Sequence, residues 1–294
     1  MSQLIAMFCD LDDFCKWFEP RYLQRLLQDG QRHRVRQGHL TLSEIMTIIV
    51  FFHPSHYRDF KHYYTAYVEG HLRPYFPALV SYSRFVALMP RAVVPLCGYL
   101  STRTGRCTGL TFVDATSLAV CHHRRISRHK VFEGYATRGK SSMGWYFGFK
   151  LHLMVNDEGE LVAFRVTTAE VNDQVPVGRL ARGLWGQLFG DRGYISRALH
   201  QALWAQGLAL ITLLRRNMKP RLMRLWDRLL LRKRFLIETV NDQLKNVSQI
   251  EHSRHRSLTG CMVNLVSGLI AYTFQPKKPS LGLRYTLSGL PVVM

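Results

Sequence analysis

The chain has 294 residues, with 40 Lys/Arg against 20 Asp/Glu and a formal charge of +20. That length is enough for a sizeable core in one main and one smaller domain, and a 47% hydrophobic, 20% charged composition excludes a disordered or fibrous chain. The charge excess calls for a polyanionic partner, of which phosphate backbones are the first choice.

Residues 1 to about 105 read as helical. Thr41-Leu42-Ser43-Glu44 fits a capping box, opening a helix through Ile45, Ile48, Ile49 and Phe52 that stops near Pro54. An aromatic-rich helix over 55–68, ended by Gly70, and a third from Ser81 to Pro90 are expected next. Short helices joined by turns fit a helix-turn-helix module, and equally a plain bundle; periodicity does not separate a recognition helix from a packing helix. Residues 1–110 have 13 Lys/Arg against 8 Asp/Glu, whereas residues 111–294 have 27 against 12. The division of charge suggests sequence recognition in the first region and phosphate binding in the second.

From about 108 the pattern changes to strands. Leu110–Val120 is rich in Thr, Val and Phe, and 144–155 and 160–168 alternate around the turn Asn156-Asp157-Glu158-Gly159. A helix over 175–184, a short strand ending at Asp191, a helix over 196–206, a strand over 208–214 and one long helix carrying Glu238 complete the pattern. Three strands in meander followed by alternating helices and strands predict a mixed α/β sheet flanked by helices. The polar connection between the first two strands carries Arg124, Arg125, Arg128, Lys130, Arg138 and Lys140, and its length predicts mobility until DNA orders it. The cluster Gln275-Pro276-Lys277-Lys278-Pro279 ends the last helix, leaving a loosely held tail over 276–294.

Nothing at the N-terminus has the pattern of a signal peptide, since Asp10, Asp12 and Asp13 interrupt the apolar core one needs. The apolar stretch from Cys261 to Phe274 is too short to cross a bilayer, so a soluble, cytoplasmic protein with no membrane partner is expected. The six cysteines form no Cys-x-x-Cys pair and read as reduced thiols; Cys121-His122-His123 lacks the second pair that zinc requires.

Three acids stand in settings that suit a metal. Asp114 follows the apolar run Leu110–Val113, Asp191 follows Leu188-Phe189 and opens Asp-Arg-Gly-Tyr, and Glu238 lies in a basic helix. On a helical wheel Arg234, Glu238, Asp242 and Lys245 fall within about 80°, opposite Leu236, Ile237, Val240, Leu244 and Val247. Alone, that stripe also fits a surface helix with ordinary salt bridges. Converging carboxylates suit Mg²⁺, which takes oxygen ligands, and two such ions are a known solution to phosphodiester transfer. Cations over 215–234, nine against the single acid Asp227, would line a DNA path through Arg215, Arg216, Arg221, Arg224 and Arg228. Lys150 is expected on phosphate; His152 is balanced between that face and the core, and Trp145 and Tyr146 between base stacking and packing.

Taken jointly, Leu72–Pro77, Ser81–Phe85, Val113–Ser117, Gly144–His152, Gly190–Tyr194 and Ile237–Lys245 resemble the ribonuclease-H-like DDE transposases of bacterial insertion sequences. The likeness is nearest to the family of insertion sequence nine-eight-two. In related transposases the third acid lies within Tyr-x2-Arg-x3-Glu-x6-Lys; Arg234, Glu238 and Lys245 keep that spacing, while Leu231 stands in place of the Tyr. The resemblance implies a helical DNA-binding region over 1–105 and a catalytic domain over 106–275 without the large insertion some relatives carry. It implies Asp114, Asp191 and Glu238 as the catalytic, metal-binding triad, holding two Mg²⁺ (or Mn²⁺) ions and no other cofactor. Binding of terminal inverted repeats as a dimer, cleavage to free a 3′-OH and strand transfer into target DNA would follow, in a prokaryotic cytoplasm. A ribonuclease-H-fold nuclease or junction resolvase, and a silent DNA-binding repressor, are the alternatives.

Overall fold

The computed structural model describes residues 2–30, 38–141, 144–218, 222–251, 255–285 and 291–292. The chain forms two compact units. One comprises residues 1–103, 244–250 and 255–274; the other comprises 104–243, 251–254 and 275–294.

The first unit is helical. α1 (Ser2–Gln28) buries Leu4, Met7, Leu11 and Cys15, one stripe at helical spacing, and continues through Pro20. α2 (Leu42–Phe51) starts at the expected capping box: Thr41 N–H donates to Glu44 Oε2 at 2.7 Å and Glu44 N–H to Thr41 Oγ1 at 3.2 Å. It is buried on nearly every side, so it is the centre of this unit. The aromatic helix begins as α3 (Phe60–His62) and runs on as a π-helical stretch, Tyr63–Leu72. Gly70 lies inside that stretch and does not end it; Pro74, with no N–H to donate, follows in the next turn. α4 (Tyr82–Leu88), a 3₁₀ turn (Met89–Ala92) and α5 (Val93–Thr102) follow. By length and apolarity 82–102 would suffice to cross a membrane, but it is three elements, and Phe85, Leu88, Ala92, Leu96, Tyr99 and Leu100 are buried within the unit.

The second unit holds a mixed sheet: β1 (Leu110–Cys121), β2 (Thr137–Ser141), β3 (Gly144–Asn156), β4 (Leu161–Thr168), β5 (Gly186–Gly190) and β6 (Leu208–Thr212). β1 lies between antiparallel β3 and parallel β5, and β6 extends the parallel side. β2 pairs with residues 144–148 of β3 and β4 with 149–155, one after the other along its second edge. Gly186, at φ +90°, lets β5 start against β1, because a Cβ there would stand 2.3 Å from Gly109 O. The expected antiparallel meander with added parallel strands is therefore present.

Register assigns each residue a face. Val113, Met154, Leu188, Leu208 and Leu210 share one face, in a core with Val177, Leu180, Tyr194, Leu199 and Leu203 from the α6 (Val177–Leu180) and α7 (Arg197–Trp204) side. Phe112 and Phe189 stack at 5.4 Å on the opposite face, which is also that of Asp114.

Several expectations are corrected. The helix over 175–184 shrinks to α6, bounded by Pro176 and by Gly183 in left-handed conformation. The long helix carrying Glu238 is two, α8 (Leu225–Arg232) and α9 (Phe235–Asn246), broken at Lys233-Arg234. The connection after β1 contains two 3₁₀ turns and β2; Phe132, fully buried, packs edge-on against Phe149 and anchors it. α10 (Leu258–Thr273), expected with the catalytic region, packs on α5 and α2 in the helical unit because almost all of it is apolar. Beyond it, Arg284–Tyr285 pairs antiparallel with Pro291–Val292 as β7 and β8, within the tail expected to be loosely held.

Candidate active site

Asp114 sits in mid-strand on β1, where burial changes from complete (Leu110–Val113) to partial. Asp191 directly follows β5. The parallel ladder of β1 and β5 ends with Phe112 opposite Phe189; Asp114 and Asp191 each stand two residues beyond it, and Asp191 is near enough for its charge to act on Asp114. Asp191 Oδ1 accepts the Gly193 N–H at 2.8 Å, closing the short turn Arg192–Tyr194. Gln174 donates to the other end of the same peptide region, Nε2 to Gly193 O at 2.6 Å. The turn bearing Asp191 is thus held from both sides.

α9 supplies the third carboxylate. Its apolar face (Leu236, Ile237, Val240, Leu244) is buried, and Arg234, Glu238 and Asn241 form the edge that meets Asp114. Asn241 Nδ2 donates to Asp114 Oδ2 at 2.9 Å. Arg234 makes a 2.7 Å ion pair with Glu238 and stands 3.9 Å from Asp114 Oδ1, so one guanidinium faces two carboxylates. Burial pushes the Asp114 carboxyl up to about 6; the Arg234 cation and the Ala115 N–H oppose this, while Asp191 and Glu238 add to it. A mostly buried acid, 22% of its side chain exposed, with two others near it and one cation steadying it is an unusual expense for a scaffold and a common one for a reaction site.

Three further groups border the site. Tyr194 is buried, its hydroxyl without a partner among the described residues, and burial, with Asp114, Asp173 and Asp191 around it, raises its pKa. Gly190, Asp191, Arg192, Leu213, Leu231 and Arg234 line a cleft of about 290 Å³. Leu231, at the position where related transposases have Tyr, is buried in its wall and offers no polar atom.

A divalent cation fits these residues by one direct observation: Asn241 Oδ1 is buried beside Asp114 and has no hydrogen-bond partner among the described residues. The groups that meet here are carboxylate and amide oxygens, the hard donors that Mg²⁺ prefers. Among the described residues no three acids, histidines or cysteines already stand at ligand spacing, and Arg234 occupies the position of a counter-charge.

The remaining sequence-predicted residues scatter. Lys150 and His152 lie on the sheet face opposite Asp114. Lys150 Nζ donates to Val171 O and Asp173 Oδ1, both at 2.8 Å, with 13% of its side chain exposed; its cation is already matched. His152 is a core histidine, Nε2 bonded to Thr167 Oγ1 at 2.8 Å and its pKa pushed down to about 4 by burial. Arg125, Lys130, Lys140, Arg215, Arg216, Arg224 and Arg228 are exposed, Lys245 is half-buried in the last turn of α9, and Arg221 lies outside the described residues. Trp145 is 61% exposed, whereas Tyr146 is packed inward. Asn241 and Gln174 were not singled out by sequence; Asn241, three residues beyond Glu238, carried a signal in its place at the edge of the polar stripe.

No curated protein sequence matches the chain. A solved structure, the cryo-EM structure of piggyBac transposase synaptic complex with hairpin DNA, is similar at a TM-score of 0.46 and 11% identity, over 84% of this chain and 69% of that one. The family model of the transposase DDE domain matches residues 104–258, which contain Asp114, Asp191 and Glu238, and the chain belongs to that family.

Proposed function

We propose that this DNA transposase acts on an insertion sequence, nearest in kind to insertion sequence nine-eight-two, with Asp114, Asp191 and Glu238 as its catalytic acids. The carrying observation is a mostly buried carboxylate raised to about 6 on β1, with a second acid just past the end of the adjacent parallel strand and α9 bringing Asn241 and the Arg234–Glu238 pair to it. Asp114, Asp191 and Glu238 would hold divalent ions, Mg²⁺ first and Mn²⁺ in its place, two per site. Such ions, when bound, lower the pKa of an attacking oxygen and neutralise charge on the phosphate.

The chain's own residues do the rest. Asn241 orients Asp114, Gln174 and Gly193 fix the turn that presents Asp191, and Arg234 balances Asp114 and Glu238. The planar fork of Arg234 would also suit a phosphate. The exposed cations Arg125, Lys130, Lys140, Arg215, Arg216, Arg224 and Arg228 supply sequence-independent attraction, and the helical unit reads the terminal inverted repeats. Hydrolysis frees a 3′-OH that attacks target DNA, with two copies on the DNA in a prokaryotic cytoplasm.

The test is Asp191→Asn with DNA carrying the element ends that flank the gene. Mg²⁺-dependent cleavage should disappear while binding stays within about threefold. Undiminished cleavage overturns the assignment. Nicking without strand-transfer products by the unaltered chain would make it a nuclease of this fold.

A further inference from the structure

The strand ribbon β2–β3 carries a surface that the acid site does not use. Lys140 lies opposite Trp145 and Arg138 opposite Phe147 in the antiparallel register. Alternation puts Trp145, Phe147, Phe149, Leu151 and Leu153 on one face of β3, and Leu153 is the partner of Asp114. Lys140, Arg138 and Trp145 therefore face the same side of the sheet as Asp114. The segment bearing Arg124, Arg125, Arg128 and Lys130 is pinned to this side too, by Phe132 on Phe149.

Composition and exposure single the surface out. Between Asp114 and Asp157 the only acid is Glu133, whereas Arg124, Arg125, Arg128, Lys130, Arg138 and Lys140 are all exposed. Trp145 and Tyr135 are 61% and 57% exposed amid those cations. A large apolar ring left in water inside a cationic field is poor packing and good recognition chemistry for a nucleic acid. The ribbon is also rigidly founded. Tyr146 and Gly139 face inward, and a Cβ on Gly139 would stand 2.4 Å from Ala169 O. β1 bulges between Ala119 and Cys121, Glu251 Oε1 accepts the Ala119 N–H there at 2.9 Å, and Gly148 passes so close that a Cβ would strike Leu118 O.

We propose that Trp145, Lys140 and Arg138 form a second DNA contact, gripping the duplex that flanks the phosphodiester held at Asp114. Trp145 is eight residues along β3 from Leu153, about 27 Å at 3.3–3.4 Å per residue. At 3.4 Å per base pair this places the ring about eight base pairs from the reacting phosphate. Lys140 and Arg138 contact phosphates there, and Trp145 packs on sugar and base edges in the groove between them. The placement relative to the cut rests on the assignment of Asp114 above; DNA binding by the ribbon does not.

Metal-free binding of the full chain to a 40-base-pair duplex of random sequence separates the two contributions. Arg138→Gln with Lys140→Gln should lower the slope of log affinity against log salt by about two units, one per lost phosphate contact. Trp145→Ala should weaken binding about tenfold at unchanged slope, because the ring releases no counterion, and Trp145→Phe should restore most of it. Trp145→Ala binding like the unaltered chain, or altering self-association with DNA affinity intact, overturns the proposal. Crosslinking from iodinated bases scanned along a cleaved duplex should reach Trp145 about eight base pairs from the nick; a crosslink at the nick itself overturns the spacing. If no duplex is cleaved, the reading of Asp114 fails while affinity and slope still decide the ribbon.

Discussion

Asn241 donates its amide N–H to the carboxylate of Asp114, 127 residues away in the chain, and its own oxygen is buried with no partner among the described residues. That pairing makes Asn241 the residue that fixes Asp114 and the one whose satisfaction is incomplete. Groups that orient a ligand commonly change metal affinity 10- to 100-fold when removed. Asn241→Ala is therefore expected to raise the Mg²⁺ concentration needed for half-maximal cleavage about 10-fold or more, with DNA affinity little changed. An Mg²⁺ titration of cleavage reads this directly; an unchanged midpoint would leave Asn241 a packing residue.

Asp114 should cost the cation-free protein stability. An unfolded Asp titrates near 3.9, about two units below the folded value of about 6. The folded state therefore holds the proton more tightly, so this contribution is greatest below about pH 4 and is lost as pH rises to 6. Asp114→Asn should raise stability by about 1–3 kcal/mol above pH 6 and by nothing near pH 4. Thermal unfolding in EDTA across that range measures it, and a gain that is flat with pH would assign the effect to packing.

Two buried histidines act with the opposite sign. His53, between Ser248 O and Ser267 Oγ, and His152 are both held down to about 4 by burial. Their unfolded value is near 6.5, so stability from keeping them neutral is full above pH 6.5 and lost as pH falls toward 4. Urea unfolding at pH 5 should show up to about 2 kcal/mol less stability per histidine than at pH 7.5. NMR of the imidazoles at pH 5.5 should find both neutral; a charged ring would refute the account.

The sequence-independent attraction should be additive over exposed cations. Arg215, Arg216, Arg224 and Arg228 are exposed between β6 and the middle of α8. Neutralising the four together is expected to reduce the salt slope by up to about four units. A slope equal to that of the unaltered chain would make this face ordinary solvated surface.

What sequence reveals here follows from how each feature is encoded. β3 and β4 were legible from period-2 alternation and β1 from its Thr, Val and Phe, although burial along them does not alternate; Thr41-x-x-Glu44 states a helix start. Asp114 and Asp191 stood out as candidates because each follows an apolar run. Lys150 misled, because a lysine on a strand reads as a free cation until its partner, Asp173, is brought beside it by the loop after β4. The break at Lys233-Arg234 carries no Gly or Pro, so nothing local announces it. Arg234 there pairs with Glu238 one turn on and faces Asp114 from the sheet. α10 misled for a similar reason: an apolar helix shows that it is buried, not which core buries it.

That last point changes how the two regions can be tested apart. α10 packs on α2 and α5, so a fragment beginning near residue 106 keeps α10 and loses both of its partners. Val263, Leu265, Val266, Leu269, Ile270 and Tyr272 would lose their cover, each worth about 1.5–3 kcal/mol when fully buried. The same cut removes His53, leaving Ser267 in an apolar helix without that ring. Such a fragment should aggregate or bind hydrophobic dyes strongly, whatever its affinity for DNA. Size exclusion and dye binding would read this, and a monomeric fragment that unfolds cooperatively would contradict it. Removing 258–274 as well should give the better-behaved catalytic piece. Recognition of element ends is then best assigned with point changes on exposed residues of α4, such as Arg84→Ala, in the full chain. Loss of preference for repeat over random duplex, with random-duplex affinity retained, would place sequence reading in the helical unit.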